Sequence, residues 1–388
     1  MLSLPPSKAA HCQVRKLMVN EVTPAFVSAW ADLESRAVEP NAYLSPHFIL
    51  PAIRHLDPEA HVWIIAVETG ALGGHELIGI GIFQPVLGTR PLPLPHLVAY
   101  KSRHSYLGGL LLDRERARAA LDALFNYVKT LGWCQGVMFG KMRQDGPVDR
   151  LLTDVATQRG IEHDSLQPTT RAMLELGTSH ADLGAILGTR QAKDLRRRRR
   201  RLDELGTVRW TLHREGGVPE RAIDTFLALE HQGWKGETHS SLRSRRADET
   251  FFREAVARFS AEERVFFTEL SLEGEVIAST SNFVSGQAGF AFKLGWRESY
   301  AKMSPGILNE LEFVRRFPHE VCCDLRYLDS GSVEGSFMER VWPERAAFHT
   351  FICSMYLGGP VLVATRVARE IKRVAVAHVR SRLVSRPD

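Results

Sequence analysis

The chain has 388 residues, of which 44% are hydrophobic and 24% are charged, and its formal net charge is +5. These fractions are typical of a globular protein. A chain of this length is too long for a single hydrophobic core, so we expect two domains. No apolar run approaches the roughly 20 residues that span a bilayer, and residues 1–20 lack the apolar core of a signal peptide. The sequence therefore predicts a cytoplasmic protein.

The five cysteines show no metal-binding pattern. None belongs to a CxxC pair, and no spacing typical of zinc sites occurs, so the sequence predicts no metal. Cys322 and Cys323 are adjacent within an apolar run, which favours buried strand thiols.

The positive charge is concentrated in two segments. Residues 361–388 hold seven Lys/Arg and two Asp/Glu, and this local excess of five positive charges equals the net charge of the whole chain. Residues 190–201 hold eight Lys/Arg and one acid. The overall basicity therefore does not indicate nucleic-acid binding, and the two segments must be interpreted separately.

Hydrophobic periodicity predicts the following elements of the first half in chain order. They are a loose lead-in at 1–20, helices from Thr23 and over Ser45–His55, strands over His61–Val67 and Glu76–Gln84, a loop over 85–105, a strand over Tyr106–Leu112, a helix over Arg114–Leu131, a strand over Gly136–Gly140, a helix over Val148–Arg159 and a strand over Arg171–Leu176.

The second half repeats this order. It is predicted to contain a helix over Asp182–Leu205, a strand over Val208–His213, helices over Pro219–Gln232 and Ala247–Ser260, strands over Val265–Ser271, Val276–Val284 and Ala288–Trp296, a helix from Ser304, and strands over Cys323–Leu328 and 346–357. This is mixed α+β architecture, with two similar, mostly antiparallel sheets flanked by helices. We predict a lead-in (1–20), two domains (21–177 and 178–358) and a C-terminal helix (359–388).

Residues 289–296, with the sequence GFAFKLGW, form the most informative strand. Regular alternation would place Ala291, Lys293 and Gly295 on one face. The opposite face would then carry the large side chains Phe290, Phe292, Leu294 and Trp296. Lys293 would be a single cation in a groove between small residues, or an edge-strand lysine that opposes aggregation.

The sequence Ser304-Pro305-Gly306 predicts a helix start close behind this strand. Ser304 suits the N-cap, Pro305 suits the first helical position, and Gly306 would let a ligand approach the first-turn amides. The segment is either an anion site or an ordinary helix cap.

Three further side chains are candidates. Glu230 lies one turn before Trp234, as a general base beside an aromatic ring or as a solvated helix-end acid. Asp329 ends a strand, where sites gather and where turn-forming aspartates also occur. Arg198 falls within the Leu195, Leu202 and Leu205 stripe of the Arg-rich helix, so we expect it to face a ligand phosphate or carboxylate.

Taken in order, these segments resemble the CelD/FemAB-like branch of the GNAT superfamily, which includes proteins named for cellulose or exopolysaccharide biosynthesis. The resemblance covers about residues 24–345. It is carried by the Arg-rich helix at 193–206, FLxLExxGWKG at 226–236, Lys293, YAKxSPG at 300–306, LDSG…VWPER at 328–345, and WADL…EPNAYLSP at 30–46.

The resemblance implies two tandem GNAT-like domains and an N-acyltransferase that moves an acyl group, most simply acetyl, from acyl-CoA to a small amine or sugar acceptor. Polysaccharide or cell-envelope metabolism is the implied context. We expect catalytic roles for Glu230, Lys293 and Asp329. Acyl-CoA would contact Ser304, Gly306, Ala291 and Gly295, and the acceptor would contact Arg198, Trp234 and Tyr300.

One departure leaves the donor open. The usual glycine-spaced pyrophosphate loop of GNAT proteins is absent, and residues 300–306 hold a single glycine in its place. FemAB relatives use aminoacyl-tRNA, whose phosphates Arg196–Arg201 could track. The Arg run lacks interleaved aromatics, and no coiled-coil insertion occurs, so nucleic acid is the weaker alternative. A non-catalytic accessory protein is a third reading.

The C-terminal segment 360–388 is predicted to be a basic amphipathic helix with a narrow apolar face of small residues. It would lie on the anionic inner face of the membrane, or dock on the protein itself or on a second subunit in a homodimer. The small residues of the apolar face favour docking.

Overall fold

The computed structural model describes residues 12–71, 74–175, 188–317, 324–357, 363–364 and 366–367. The predicted pair Cys322–Cys323 and almost all of the predicted C-terminal helix lie outside these ranges.

The described residues contain thirteen strands. They are β1 (Cys12–Leu17), β2 (Trp63–Ala71), β3 (Gly74–Val86), β4 (His96–Ala99), β5 (Leu111–Leu112), β6 (Gly136–Arg143), β7 (Ile161–Glu175), β8 (Val208–His213), β9 (Val265–Leu272), β10 (Glu275–Ser285), β11 (Ala288–Trp296), β12 (Tyr327–Asp329) and β13 (Glu344–Leu357).

Helices cover both faces of the sheet. They are α1 (Pro24–Ser35), α2 (Pro46–Leu56), α3 (Ala117–Thr130), α4 (Pro147–Gln158), α5 (Thr189–Asp203), α6 (Glu220–Glu230), α7 (Trp234–Glu237), α8 (Arg246–Ser260) and α9 (Pro305–Arg316). The starts of α1 and α2 follow local rules. Thr23 and Ser45 accept hydrogen bonds from first-turn amides, and a proline occupies the first position of each helix.

The strands form one sheet, in the order β1-β2-β3-β4-β6-β13-β7-β12-β11-β10-β9-β8, with β5 beside β3. The pairs β4–β6 and β11–β12 are parallel and the other pairs are antiparallel. The mixed, mostly antiparallel α+β architecture is therefore confirmed. The last strand, β13, lies between β6 and β7 of the first half, and β7 also pairs with β12 of the second. The domain boundaries stay predictions.

Aromatic side chains join the two halves through a shared core. Tyr43 and Phe48 of the first half pack edge-on against Phe290 and Phe251, with ring centroids 5.8 and 5.1 Å apart. Pairs of this geometry add to the stabilisation that burial provides. The two halves therefore meet in a packed junction beside β11.

Several predicted elements in the first half were wrong in extent. The expected lead-in contains β1, the expected loop contains β4, and β7 begins at Ile161, ten residues before its predicted start. The extent of these strands depends on the neighbouring strands with which they pair, and not on the hydrophobic periodicity of their own sequence. β1, for example, is a half-exposed edge strand that pairs with β2. The predicted strand over 106–112 shrinks to β5. Gly108, which precedes β5, lies directly on the Gly140 carbonyl, whose oxygen a Cβ would meet at 2.2 Å.

A buried carboxyl group lies between α9 and the sheet. Glu310 accepts hydrogen bonds from the Thr280 hydroxyl at 2.8 Å and from the Trp342 indole N–H at 3.2 Å. Burial raises the pKa of Glu310 from 4.5 to about 7, and the hydrogen bonds offset this only in part. The folded state therefore holds the proton more tightly than the unfolded chain. The stability that protonated Glu310 contributes is fully present below pH 4.5, and it is lost as the pH rises through about 7.

Replacing Glu310 by glutamine is expected to remove this loss of stability. The amide oxygen can accept from Trp342, and the amide N–H can donate to Thr280, which already contacts Thr268. The free energy of unfolding of the variant, relative to wild type, should rise by roughly 2 to 3 kcal/mol between about pH 5 and pH 8. Urea unfolding at both pH values measures it. Glu334→Gln, in an exposed loop, is the control, and an unchanged difference would contradict the prediction.

Candidate active site

A β-bulge in β11 decides which side chains face the site. Its pairing with β10 shifts between Ser281–Lys293 and Asn282–Ala291, so Phe292 is an extra residue. Phe290 and Phe292 lie in the aromatic core under α6 and α8, whereas Ala291 and Trp296 belong to the core under α9. The predicted single face of four large side chains was therefore wrong, because the bulge moves Leu294 and Trp296 to the opposite side of the sheet.

The edge of β11 is open beyond the bulge. Its parallel pairing with β12 covers only Ala288 to Phe290, and β12 ends at Asp329. Within the described ranges, β11 continues to Trp296 with a strand partner on the β10 side alone. This stretch of β11 therefore has an edge without a strand partner, where a ligand can make strand-like contacts.

Three charged side chains meet where α6 crosses β11. Glu230 is 1% exposed, and its Oε1 lies 3.5 Å from Lys235 Nζ and 3.8 Å from Lys293 Nζ. Its Oε2 accepts the Leu242 N–H at 2.8 Å. Lys235 also donates to the Leu294 carbonyl at 2.6 Å, on β11. Burial lowers the pKa of Lys235, and the Glu230 carboxylate opposes this effect.

Gly295 makes this arrangement possible. A Cβ at that position would lie 2.5 Å from the Glu230 amide nitrogen and 2.8 Å from the Leu229 carbonyl carbon. The helix backbone therefore rests directly on the strand. The backbone that approaches Gly295 is that of α6, and the predicted contact of Gly295 with acyl-CoA stays a prediction.

The first half of the chain contributes to the environment of Lys293. Burial raises the pKa of the Tyr106 hydroxyl, and the nearby positive charge of Lys293 opposes this effect. His104 also comes from the first half. Its Nε2 lies 2.9 Å from Asp248 Oδ1, and its ring stacks on Phe251. Burial lowers the pKa of His104, and the positive charge of Lys293 adds to this effect. The sequence analysis missed these residues because nothing local marks the loop before β5.

The start of α9 is uncapped by any side chain. Ser304 occupies the N-cap position with a left-handed backbone (φ 52°), but its hydroxyl contacts Arg198 Nη1 at 2.5 Å instead of a first-turn amide. The predicted position of Ser304 is confirmed and its predicted capping bond is not formed. Arg198, also bound to Asp194 at 2.8 Å, thus places a cation at the positive end of the α9 dipole, where an anion is stabilised.

Three cavities adjoin one another along this region. We call them the basic cavity, of about 870 Å³, the apolar slot, of about 200 Å³, and the carboxylate pocket, of about 100 Å³. Ser304 and Ile307 line both the basic cavity and the apolar slot. Leu294 and Trp296 line both the apolar slot and the carboxylate pocket. The cavities therefore form a continuous line from α5 to Glu230.

Charge changes along this line. The charged residues of the basic cavity are the cations Arg190, Lys193, Arg197, Arg198 and Arg340 and the acid Asp194. The apolar slot adds Ala301, Gly306 and Phe337 to the residues that it shares. The carboxylate pocket holds Glu230, Glu237, Glu298 and Lys235.

Other predicted site residues lie apart from the cavities. Asp329 is buried and pairs with Arg171 of β7 at 3.3 Å, and it accepts the Gly331 N–H. Ala291 is also buried, and its carbonyl accepts from the Tyr43 hydroxyl at 3.4 Å. Tyr300 packs against the core under α9. The side chain of Trp234 lies outside what the structure describes. The predicted stripe on α5 is corrected at Leu205, which is 57% exposed because the helix ends at Asp203.

The chain resembles known proteins in one sequence segment and in its overall fold. Residues 189–332 match the family model described as an acetyltransferase (GNAT) domain. FemX, at 11% identity and a TM-score of 0.55, is similar over 89% of this chain and 98% of its own. A conserved protein of unknown function from Bacteroides thetaiotaomicron has 11% identity and a TM-score of 0.49, over 86% of this chain and 98% of its own.

A tandem GNAT protein from the clavulanic acid biosynthesis pathway has 14% identity and a TM-score of 0.42, over 89% of this chain and 99% of its own. No curated protein sequence matches this chain significantly.

The family match of residues 189–332 defines the class of the protein. It is an acyltransferase with a GNAT-type acetyltransferase domain at residues 189–332. FemX shares the overall fold of this chain. No helix in the described ranges has both the length and the apolar character needed to cross a membrane. The described residues include no group of three or more His, Cys, Asp or Glu placed to hold a metal ion.

Proposed function

We propose that this protein is an N-acyltransferase that uses acyl-CoA, in the simplest case acetyl-CoA, as its donor. The observation that carries the proposal is the line of three cavities, which changes from basic to apolar to carboxylate-lined between α5 and Glu230. Coenzyme A has the same order of chemistry, with phosphates at one end, a flexible arm in the middle and the thioester at the other end.

The phosphates of the donor fit the basic cavity. Arg198 and Ser304 lie beside the uncapped first turn of α9, where backbone amides and the helix dipole favour an anion. The arm would follow the apolar slot, which Leu294 and Gly306 line. A glycine suits position 306, because a Cβ there would lie only 3.0 Å from the Leu294 side chain. The thioester then reaches the carboxylate pocket.

In the proposed reaction, the acceptor amine attacks the thioester carbonyl carbon, and the carbonyl oxygen becomes an oxyanion. Lys293 would stabilise this negative charge, with the Tyr106 hydroxyl near its ammonium group. The Oε1 atom of Glu230, which faces Lys235 and Lys293 at 3.5 and 3.8 Å, would take the proton of the amine, directly or through water. The carbon–sulfur bond breaks, and the thiolate leaves and is protonated by solvent.

The acceptor that we propose is a small amine or amino sugar. The acids of the carboxylate pocket favour a positively charged group that approaches before it loses its proton. A role in polysaccharide or cell-envelope metabolism rests on the family resemblance alone.

Aminoacyl-tRNA is the second candidate donor. Arg196, Arg200 and Arg201 are exposed on α5 and do not line the basic cavity, so they are free to contact phosphates of a ligand larger than coenzyme A. Binding of tRNA would weaken steeply with salt as phosphate contacts release counterions. A gel shift that is absent, or that salt does not affect, would exclude this donor.

Replacing Arg198 by alanine separates the two donors. We expect acetyl-CoA binding to weaken about 10- to 100-fold, because one charge-assisted contact to phosphate is lost at the start of α9. Arg200→Ala, on the same helix and outside the basic cavity, is the matched control and should change the affinity by less than about twofold. Isothermal titration calorimetry with acetyl-CoA and longer acyl-CoAs measures both.

Two outcomes would overturn the acyl-CoA proposal. One is equal weakening by Arg198→Ala and Arg200→Ala, which would indicate a diffuse phosphate contact instead of a formed cavity. The other is binding of charged tRNA without binding of any acyl-CoA.

For the C-terminal segment, we propose docking on the protein in preference to the membrane. Arg366 donates to the His163 carbonyl at 2.6 Å and to Glu162 Oε2 at 3.3 Å, both on β7. These contacts tie the start of the segment to the sheet. Co-sedimentation of the intact protein with anionic liposomes, lost on deletion of residues 360–388, would contradict docking. Homodimer formation stays a prediction.

A further inference from the structure

A serine, a histidine and an aspartate form a hydrogen-bonded chain in the first half of the sheet. Ser165 Oγ lies 2.5 Å from His349 Nδ1, and His349 Nε2 lies 2.8 Å from Asp149 Oδ1. The three residues come from β7, β13 and α4, and none of these elements lines the basic cavity, the apolar slot or the carboxylate pocket. The chain of contacts is therefore separate from the acyl-transfer site.

Burial differs along this chain. His349 is 3% and Asp149 is 6% exposed, whereas Ser165 is an exposed residue. The second oxygen of Asp149 accepts the Asp145 N–H at 2.9 Å, so the carboxylate is held from both sides. A buried imidazole–carboxylate pair thus contacts the hydroxyl group of an exposed residue.

The hydrogen bonds also determine the roles of the ring nitrogens. Asp149 is an acceptor, so Nε2 of His349 carries the proton that it donates to the carboxylate. Nδ1 then has a free lone pair directed at the Ser165 hydroxyl. The ring is turned relative to triads in which Nε2 faces the serine, but the base, the orienting acid and the nucleophile have the same roles.

An irregularity in β7 brings Ser165 to this position. The pairing of β13 with β7 changes from Thr350–Leu166 to Phe348–Thr169, so two residues of β7, Gln167 and Pro168, lie opposite the single residue His349 and β7 has one extra residue. Gln167 has a left-handed backbone (φ 53°). Bulges of this kind redirect side chains and are frequent beside reactive groups.

We propose that Ser165, His349 and Asp149 form a second reactive site, in which Ser165 is the nucleophile toward small activated carboxylic esters. Ser165 Oγ attacks the ester carbonyl carbon, and its proton moves to Nδ1 of His349. The bond to the leaving alcohol breaks, and the alcohol takes that proton. Water, deprotonated by the same nitrogen, then releases the acid and restores Ser165.

The full-length protein tests this site with two probes, a fluorophosphonate and p-nitrophenyl acetate. Intact-mass analysis should show one fluorophosphonate adduct per chain, and peptide mapping should place it on Ser165. Asp149→Asn should slow the labelling by at least about 100-fold, because the histidine is no longer held in the required tautomer. Hydrolysis of p-nitrophenyl acetate should decrease in parallel.

Two serine variants serve as comparison. Ser165→Ala, at an exposed position, should fold as wild type and lose the adduct completely. Ser28→Ala, which removes an exposed serine that contacts only a helix carbonyl, should keep it. If the folded wild-type protein forms no adduct at Ser165, or if Ser165→Ala retains the labelling, the three residues are a satisfied core histidine and its partners, and the proposal is overturned.

Discussion

Replacing Lys293 by methionine is expected to lower kcat/KM for acyl transfer by roughly 100- to 1,000-fold. Lys293 Nζ lies 3.8 Å from Glu230 Oε1 and is the charge that we propose to stabilise the oxyanion. Methionine retains the length of the side chain but not the charge. The protein should remain folded, because Glu230 keeps Lys235 at 3.5 Å and the Leu242 N–H at 2.8 Å. Steady-state kinetics with acetyl-CoA and an amine acceptor, beside thermal unfolding, measures both effects.

Lys129→Met is the control for this experiment. Lys129 is exposed near the end of α3, so its loss should leave both kinetics and unfolding unchanged. Retention of most of the activity by Lys293→Met would show that the chemistry does not depend on this charge. Full biological activity of Lys293→Met in a deletion strain would favour the accessory-protein reading over an enzyme.

Replacing Arg171 by methionine is expected to destabilise the protein by about 3 to 5 kcal/mol. Arg171 and Asp329 are 5% and 2% exposed, and they form an ion pair at 3.3 Å. Arg171 also donates to the Tyr106 carbonyl at 2.9 Å and lies over the Phe348 ring. The variant leaves the Asp329 carboxylate buried without its cation, which costs more than the loss of the contacts. Urea unfolding at neutral pH measures the change.

The double variant Arg171→Met/Asp329→Asn determines what Asp329 does. It removes both charges, so most of the lost stability should return. If Asp329 contributes only through its ion pair with Arg171, transfer activity should return together with stability. If stability returns and activity does not, Asp329 acts on the substrate, and its predicted catalytic role is the correct one. A double variant no more stable than Arg171→Met would contradict the ion-pair interpretation itself.

The family resemblance and the elements around the site could be predicted from the sequence, because local rules govern them. The predicted bounds of β11, Ala288–Trp296, agree with the structure. The turn before β10 has positive φ at both Glu273 and Gly274, as expected of a tight hairpin. The start of α9 at Pro305 follows from the preference of proline for a first helical turn. Each of these signals lies within a few neighbouring residues.

Only the tertiary structure decided how these elements form a site. The bulge at Phe292 depends on the register with β10, and it reverses the faces that regular alternation assigns to Leu294 and Trp296. The Ser304 hydroxyl binds Arg198, 106 residues earlier in sequence, instead of capping its own helix. Tyr106 reaches Lys293 from the other half of the chain. Register and long-range hydrogen bonds depend on which surfaces meet after folding, and the periodicity of a single segment does not contain that information.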